Sequence, residues 1–311
     1  MTFMMSLEAK FEDKLFHVVP DGEHVRGKCW MYQHMPKSGG TTVIRMLQKT
    51  WGDRISLYGS GHWAKGDKHL QEYSEQFKND FENGKKNVLV GAYIEALSIG
   101  EMCQKFTVFR NPVSRMVSAY YYCKVRGTDS LCATEVMSAR DVDLLTFAKH
   151  WGNFAMRQFI IKNVSYDDVL QYSNSNGIQY NAKSWYKLKK YMESTQMSGS
   201  GIHEMVMYDM IQPVQDLISE KYVIGILEDF NTTMSLFDKE LQMPVLNWSK
   251  EYENQGLVNS NTKFDYEKKI ALMDSYTSSE IKKYMQVDII LYEHAVSVFN
   301  AQVKANGIIK P

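Results

Sequence analysis

One run of the chain, His34-Met35-Pro36-Lys37-Ser38-Gly39-Gly40-Thr41-Thr42, gathers the groups needed to hold an anion. Adjacent glycines let backbone N–H groups converge on a ligand with no Cβ in the way. Lys37 brings a full positive charge, and Ser38, Thr41 and Thr42 bring hydroxyl donors. A helix starting directly after the glycines would aim its partial positive end at the same spot. In a Walker A loop the lysine follows the glycines; here Lys37 precedes them, which argues against an ATPase or kinase. Taken alone, the segment also reads as a plain glycine-rich turn.

A second run, Phe106-Thr107-Val108-Phe109-Arg110-Asn111-Pro112-Val113-Ser114-Arg115-Met116-Val117-Ser118-Ala119-Tyr120-Tyr121-Tyr122, has the same flavour. An apolar strand delivers Arg110 at its C-terminal end, where α/β folds place their ligands. Arginine can fork onto a phosphate, and Ser118, two helical turns past Pro112, can add one hydrogen bond. The plainer alternative is a surface arginine beside an ordinary amphipathic helix, with Tyr120–Tyr122 in the core.

The elements that must position these residues are legible around them. Cys29–His34 forms a short apolar strand, broken at Pro36, and Thr41–Thr50 resumes as a helix with Val43, Ile44 and Leu47 on one side. Strand, glycine turn and helix is the layout of a phosphate-binding loop. Residues 52–87 are polar, with a helix near Leu70–Glu82. Val88–Val90 and Phe106–Phe109 read as buried strands, and Pro112 opens a helix where its missing N–H costs nothing. Residues 141–162 are helical in pattern, 163–201 read as a loop ending in Ser198-Gly199-Ser200-Gly201, and Tyr222–Ile226 reads as a strand before a helix near Thr232–Leu241. Ile281, Met285, Ile289, Tyr292, Val296 and Phe299 recur at helical spacing as a core stripe. Strands alternating with helices predict an α/β fold: a P-loop-like, three-layer domain whose mostly parallel central sheet is flanked by helices. We expect a single domain over 1–311, with a cofactor-binding core at 28–125, a largely helical acceptor-side region at 126–220, and a return to the core with the C-terminal helix at 221–311.

Thirty-six basic residues balance 36 acidic ones, so formal net charge is zero. A protein gripping nucleic acid by bulk charge is usually basic, so no nucleic-acid partner is expected and any anion site must be local. No apolar run reaches the roughly 20 residues needed to span a bilayer. The N-terminal segment lacks the basic start and small-residue cleavage site of a secretory signal. The four cysteines, Cys29, Cys103, Cys123 and Cys132, show no zinc-like spacing. Cys123 and Cys132 are close enough in sequence to bridge, which would require an oxidising compartment; four reduced thiols is the other reading.

Together the two motifs resemble the 5′-phosphosulfate loop and the 3′-phosphate motif of sulfotransferases that use 3′-phosphoadenosine-5′-phosphosulfate (PAPS). HMPKSGGTT is most similar to the loop of carbohydrate sulfotransferases such as the uronyl and heparan sulfate 2-O-enzymes. NFAMRQF (153–159), VIGILEDF (223–230), NSNTK (259–263) and DIILYEHAVSVF (288–299) resemble further family segments in the same order. The resemblance implies an O-sulfotransferase moving a sulfuryl group from PAPS to an acceptor hydroxyl, leaving adenosine 3′,5′-bisphosphate, with no metal required. Lys37 would touch the phosphosulfate and steady the leaving phosphate. Ser38, Gly39, Gly40, Thr41 and Thr42 would wrap the 5′-phosphate, Arg110 and Ser118 would hold the 3′-phosphate, and Lys263 would close over the cofactor. Arg115 offers either a second phosphate contact or a structural role. A P-loop nucleotide kinase or NTPase, and a non-catalytic nucleotide-binding module, are the competing readings.

In the carbohydrate relatives a Gly-His segment before the 3′-phosphate strand supplies the general base. The corresponding stretch here is Gly91-Ala92-Tyr93-Ile94-Glu95, with alanine in place of the histidine. Glu95 and, after it, His62 in Gly59-Ser60-Gly61-His62-Trp63 are the candidate bases, while His34 is expected to orient the loop. The acceptor should meet residues 52–87 and 124–201, where Trp63, Trp151, Tyr180, Trp185 and Tyr186 could stack on a sugar or a flat small molecule, although scattered aromatics are more often core. A carbohydrate or a small alcohol or phenol is the expected acceptor. Compartment depends on what precedes the chain: cytoplasm if nothing does, Golgi lumen if an N-terminal anchor has been removed.

Overall fold

The computed structural model describes residues 29–58, 67–91, 103–126, 133–134, 137–138, 142–163, 207–242 and 266–309. Its centre is a five-stranded sheet built from β1 (Trp30–Gln33), β2 (Ile55–Tyr58), β3 (Val88–Gly91), β4 (Gln104–Phe109) and, after a minimal hairpin of β5 (Ala133–Thr134) and β6 (Met137–Ser138), β7 (Tyr222–Ile226). The order is β2-β3-β1-β4-β7, and every neighbouring pair is parallel. Strands β1, β3 and β7 are buried along their whole length and β4 along all but its first residue. Such continuous burial is what helices on both faces of a parallel sheet require. The expected α/β architecture is the one observed.

The helices are α1 (Gly40–Trp51), α2 (Asp67–Glu82), α3 (Pro112–Arg126), α4 (Leu144–Trp151), α5 (Phe154–Asn163), α6 (Ile211–Lys221), α7 (Phe230–Glu240), α8 (Tyr266–Ala271), α9 (Ser275–Tyr284) and α10 (Gln286–Ala305). The main core lies between the sheet and its helices, with Trp30, Tyr32, Phe106, Tyr222, Phe237 and Phe299 buried in it. A smaller core joins α3, α4 and α9 through Met116, Phe147, Trp151, Ile281 and Met285. Among the described residues no helix is long and apolar enough to cross a membrane.

Three features depart from the sequence reading. Strand β2 falls inside the stretch read as polar, because a four-residue edge strand that follows Asp53 and Arg54 and leaves its own Leu57 exposed is too short to stand out there. The helical pattern over 141–162 is two helices, broken at Gly152-Asn153. A Cβ on Gly152 would lie 2.3 Å from the Tyr284 carbonyl oxygen, and Asn153 takes a left-handed φ of 51°. The C-terminal stripe likewise divides at Met285 into α9 and α10.

The cysteines also depart from it. Cys29 and Cys103 are disulfide-bonded across a sequence separation of 74, with Cα atoms 4.5 Å apart. Each immediately precedes a strand, and parallel pairing of β1 with β4 is what brings them together. Cys123 is disulfide-bonded too, which removes the all-reduced reading; Cys132 lies outside the described residues.

Candidate functional site

The C-terminal ends of β1 and β4 are adjacent, and both motifs emerge there. The Thr107 hydroxyl donates to the Gln33 carbonyl at 2.8 Å, and the His34 N–H donates to the Gly91 carbonyl at 2.8 Å. The end of β1 is thus tied to the strand on either side before the chain turns. The turn spans 36–39, with Lys37 at φ 65° and Gly39 at φ 79°, both left-handed. For lysine that conformation costs on the order of 1 kcal/mol, so the surroundings must impose it. A Cβ on Gly39 would sit 2.7 Å from Leu227 Cδ1, and one on Gly40 only 2.0 Å from the His34 ring. Each glycine is needed for close approach, and the plain-turn reading of this segment does not account for that packing.

The geometry suits an anion. Gly39 is the N-cap of α1, no side chain caps the helix, and its first turn holds no acidic residue. The leading N–H groups of a helix lack intrahelical acceptors and carry the positive end of its dipole. The Ser38 hydroxyl is buried at that spot with no hydrogen-bond partner among the described residues, an arrangement that costs free energy unless a ligand satisfies it. Lys37 Nζ lies 4.1 Å from the centroid of the Tyr122 ring on α3, a cation–π contact that draws the ammonium toward the second motif. Thr41 is exposed and Thr42 half-buried on the first turn of α1. A phosphate suits this loop in charge and in donor type.

Arg110 leaves the end of β4 and its Nη1 donates to the Lys37 carbonyl at 3.1 Å. The next residue, Asn111, caps α3 by accepting from the Ser114 N–H at 3.1 Å. Ser118 is buried further along α3. Arg115, between them, has the structural role rather than that of a second ligand contact. It is buried, donates to Asp288 Oδ2 at 2.6 Å, and lies over the rings of Trp151 and Phe154 at 4.9 and 5.3 Å. Asp288 also accepts from the Ala155 and Met156 N–H groups at 3.0 and 2.8 Å. Asn153 Oδ1 in turn accepts from Val287 and Asp288 N–H at 3.1 Å each, capping α10 from another part of the chain. Burial lowers the Arg115 pKa and Asp288 opposes that shift. Trp151 is packed in this core, stacked on Phe154 and Phe147, so it is withdrawn as an acceptor-stacking residue.

His34 is mostly buried against Gly40, and its pKa is pushed down to about 4, first by burial and then by the Lys37 charge. A neutral ring with so low a pKa is a weak base near pH 7, consistent with a loop-packing role. Glu95, His62 and Lys263 lie outside the described residues, as do Ala92, Trp63, Tyr180, Trp185 and Tyr186. Sequence reasoning offered Tyr122 only as a core residue and missed Leu227 and Glu228. Tyr222–Ile226 reads as a strand, and a strand ending beside β4 was the signal that its next residues would reach the site.

Comparison with known families matches residues 29–295 to the sulfotransferase family. This chain belongs to that family. The match spans both motifs and every strand of the central sheet, and does not favour a kinase or NTPase. A sulfotransferase transfers a sulfuryl group to an acceptor. No curated protein matches the chain. Among the described residues, no group of three or more His, Cys, Asp or Glu side chains is placed to hold a metal ion.

Proposed function

We propose that this sulfotransferase takes its sulfuryl group from PAPS and delivers it to an acceptor hydroxyl. The reading is carried by the Arg110–Lys37 contact of 3.1 Å, which puts a phosphate-forking guanidinium beside an uncapped, lysine-bearing helix N-terminus. A nucleotide with anionic groups at both the 5′ and 3′ positions is the ligand that uses both.

When bound, PAPS supplies the sulfuryl group and a phosphate leaving group. The Lys37 ammonium and the α1 N-terminus would stabilise negative charge growing on the leaving oxygen, without reorganisation at the moment of transfer. Ser38, Gly39, Gly40, Thr41 and Thr42 would hold the 5′-phosphate, and Ser38 would satisfy its buried hydroxyl in doing so. Arg110 and Ser118 would hold the 3′-phosphate, and Lys263 would cover the cofactor. Fixing both ends of the donor aligns the transferred group for in-line attack. Glu95 or His62 would take the acceptor proton.

The loop and the order of the supporting segments resemble the carbohydrate 2-O-sulfotransferases. The acceptor we assign is a neutral glycan or a small alcohol or phenol, met by residues 52–87 and 124–201; zero net charge disfavours a heavily sulfated polymer.

Thermal shift tests the donor assignment. Adenosine 3′,5′-bisphosphate should raise the melting temperature well above the rise given by ATP at equal concentration. Equal shifts, or none, would sink it.

A further inference from the structure

We propose that Glu228 is a positioning residue that holds the Arg110–Asn111 peptide against the anion loop and thereby sets selectivity for a 3′-phosphorylated nucleotide. This rests on the PAPS reading above and adds a residue that neither motif contains.

Glu228 lies in the 3-10 turn Leu227–Asp229 that follows β7, the strand paired with β4 on the side away from β1. Its Oε1 accepts from the Asn111 N–H at 2.9 Å, and its Oε2 accepts from the Tyr292 hydroxyl at 3.1 Å. The residue before it, Leu227, fills the space a Cβ on Gly39 would need. Two consecutive residues therefore touch both motifs: Leu227 packs on the loop, and Glu228 grips the backbone just past Arg110.

The peptide after Arg110 is fixed twice. The Asn111 N–H goes to Glu228, and the Asn111 side chain goes to the first turn of α3. The Arg110 side chain starts from this peptide and ends on the Lys37 carbonyl. Moving the peptide would move the guanidinium relative to the loop, while the loop would keep its own ties to β3 and β4 through His34 and Gln33. Loss of Glu228 should thus be felt at the 3′-phosphate end of a nucleotide and little at the 5′ end.

A carboxylate is the side chain this place calls for. It offers two acceptor oxygens to two donors, whereas a glutamine offers one oxygen and turns an NH2 group toward the other donor. Tyr292 is held as a donor, since burial and then the Glu228 charge both raise its pKa. The tyrosine, from α10, fixes the carboxylate from behind.

The test is calorimetric titration of the whole chain and of E228A, E228Q and Y292F with adenosine 3′,5′-bisphosphate and with adenosine 5′-monophosphate. Thermal melts of each protein run alongside. For E228A we expect affinity for the bisphosphate to fall about tenfold, the scale of a charge-assisted hydrogen bond, with less than a twofold change for the monophosphate. E228Q should fall between E228A and wild type, and Y292F should show a smaller loss of the same kind. If E228A does not fold, E228Q and Y292F carry the test. Equal weakening toward both nucleotides, or no change toward either, overturns the proposal while leaving the PAPS reading intact. A wild-type protein that fails to prefer the bisphosphate overturns both.

Discussion

The Arg110 guanidinium and the Lys37 main-chain carbonyl meet at 3.1 Å, although α1, β2, α2, β3 and β4 intervene between them in sequence. The contact joins the two strand ends at which charge is concentrated. It also supports Lys37 in a left-handed conformation that lysine would not adopt unaided. The same guanidinium is the group assigned to the 3′-phosphate.

Arg110→Ala should weaken adenosine 3′,5′-bisphosphate binding by about 2–3 kcal/mol, the worth of a charge-assisted pair with phosphate. Arg110→Lys should recover only part of that, because an ammonium cannot fork. Titration calorimetry with both variants decides it, and an unchanged dissociation constant in Arg110→Ala would remove the residue from the site.

Gly40→Ala should cost stability and nucleotide affinity together, since the new methyl would need the place held by the His34 ring. Gly39→Ala adds backbone strain at φ 79° to a clash with Leu227. A loss of about 1–3 kcal/mol is the usual scale for overpacking. Denaturant melts with and without bisphosphate read both effects.

Asp288→Ala should be among the most destabilising single changes, by about 3–5 kcal/mol, because it strands the buried Arg115 charge and two backbone donors. Replacing Arg115 and Asp288 together by apolar residues should cost less than either single change. A double-mutant cycle measured by urea unfolding checks this.

His34 gives a pH signature. Its folded pKa of about 4 lies below its ordinary 6.5, so between those values the unfolded chain binds a proton that the folded chain does not. Stability is therefore whole above pH 6.5 and falls as pH drops toward 4, by roughly 3 kcal/mol in all. His34→Gln should flatten that part of the profile. Parallel losses in both proteins would assign the acid sensitivity elsewhere.

Cys29→Ser with Cys103→Ser should lower stability by about 4 kcal/mol, the chain-entropy value for a loop closed across 74 residues. Because the bond lies at the N-terminal ends of β1 and β4, bisphosphate affinity measured below the melting transition should be nearly unchanged.

Much of this architecture was legible because parallel strands buried on both faces spell themselves as apolar runs: Val88–Val90, Phe106–Phe109 and Tyr222–Ile226 could hardly be anything else. The anion loop was legible for a different reason, since Lys37, Gly39 and Gly40 form a local pattern whose chemistry does not depend on the rest of the chain. What escaped was non-local or short. Nothing near Cys29 announces Cys103, nothing near Arg115 announces Asp288, and β2 is four residues set in an otherwise polar stretch. Trp151 stayed open between acceptor contact and core because an indole on a sugar and an indole in a core look alike until its neighbours are known.

The strand order has a consequence for how the protein is made. The central strand β1 and its loop leave the ribosome before β3, β4 and finally β7 with Leu227, all of which must follow before the turn is held on every side. At about 5–20 residues per second, the stretch from Gly39 to Leu227 takes roughly 10–40 seconds to synthesise. A nascent chain interrupted before Leu227 would carry the complete phosphate-binding sequence and still lack the shape that recognises a nucleotide.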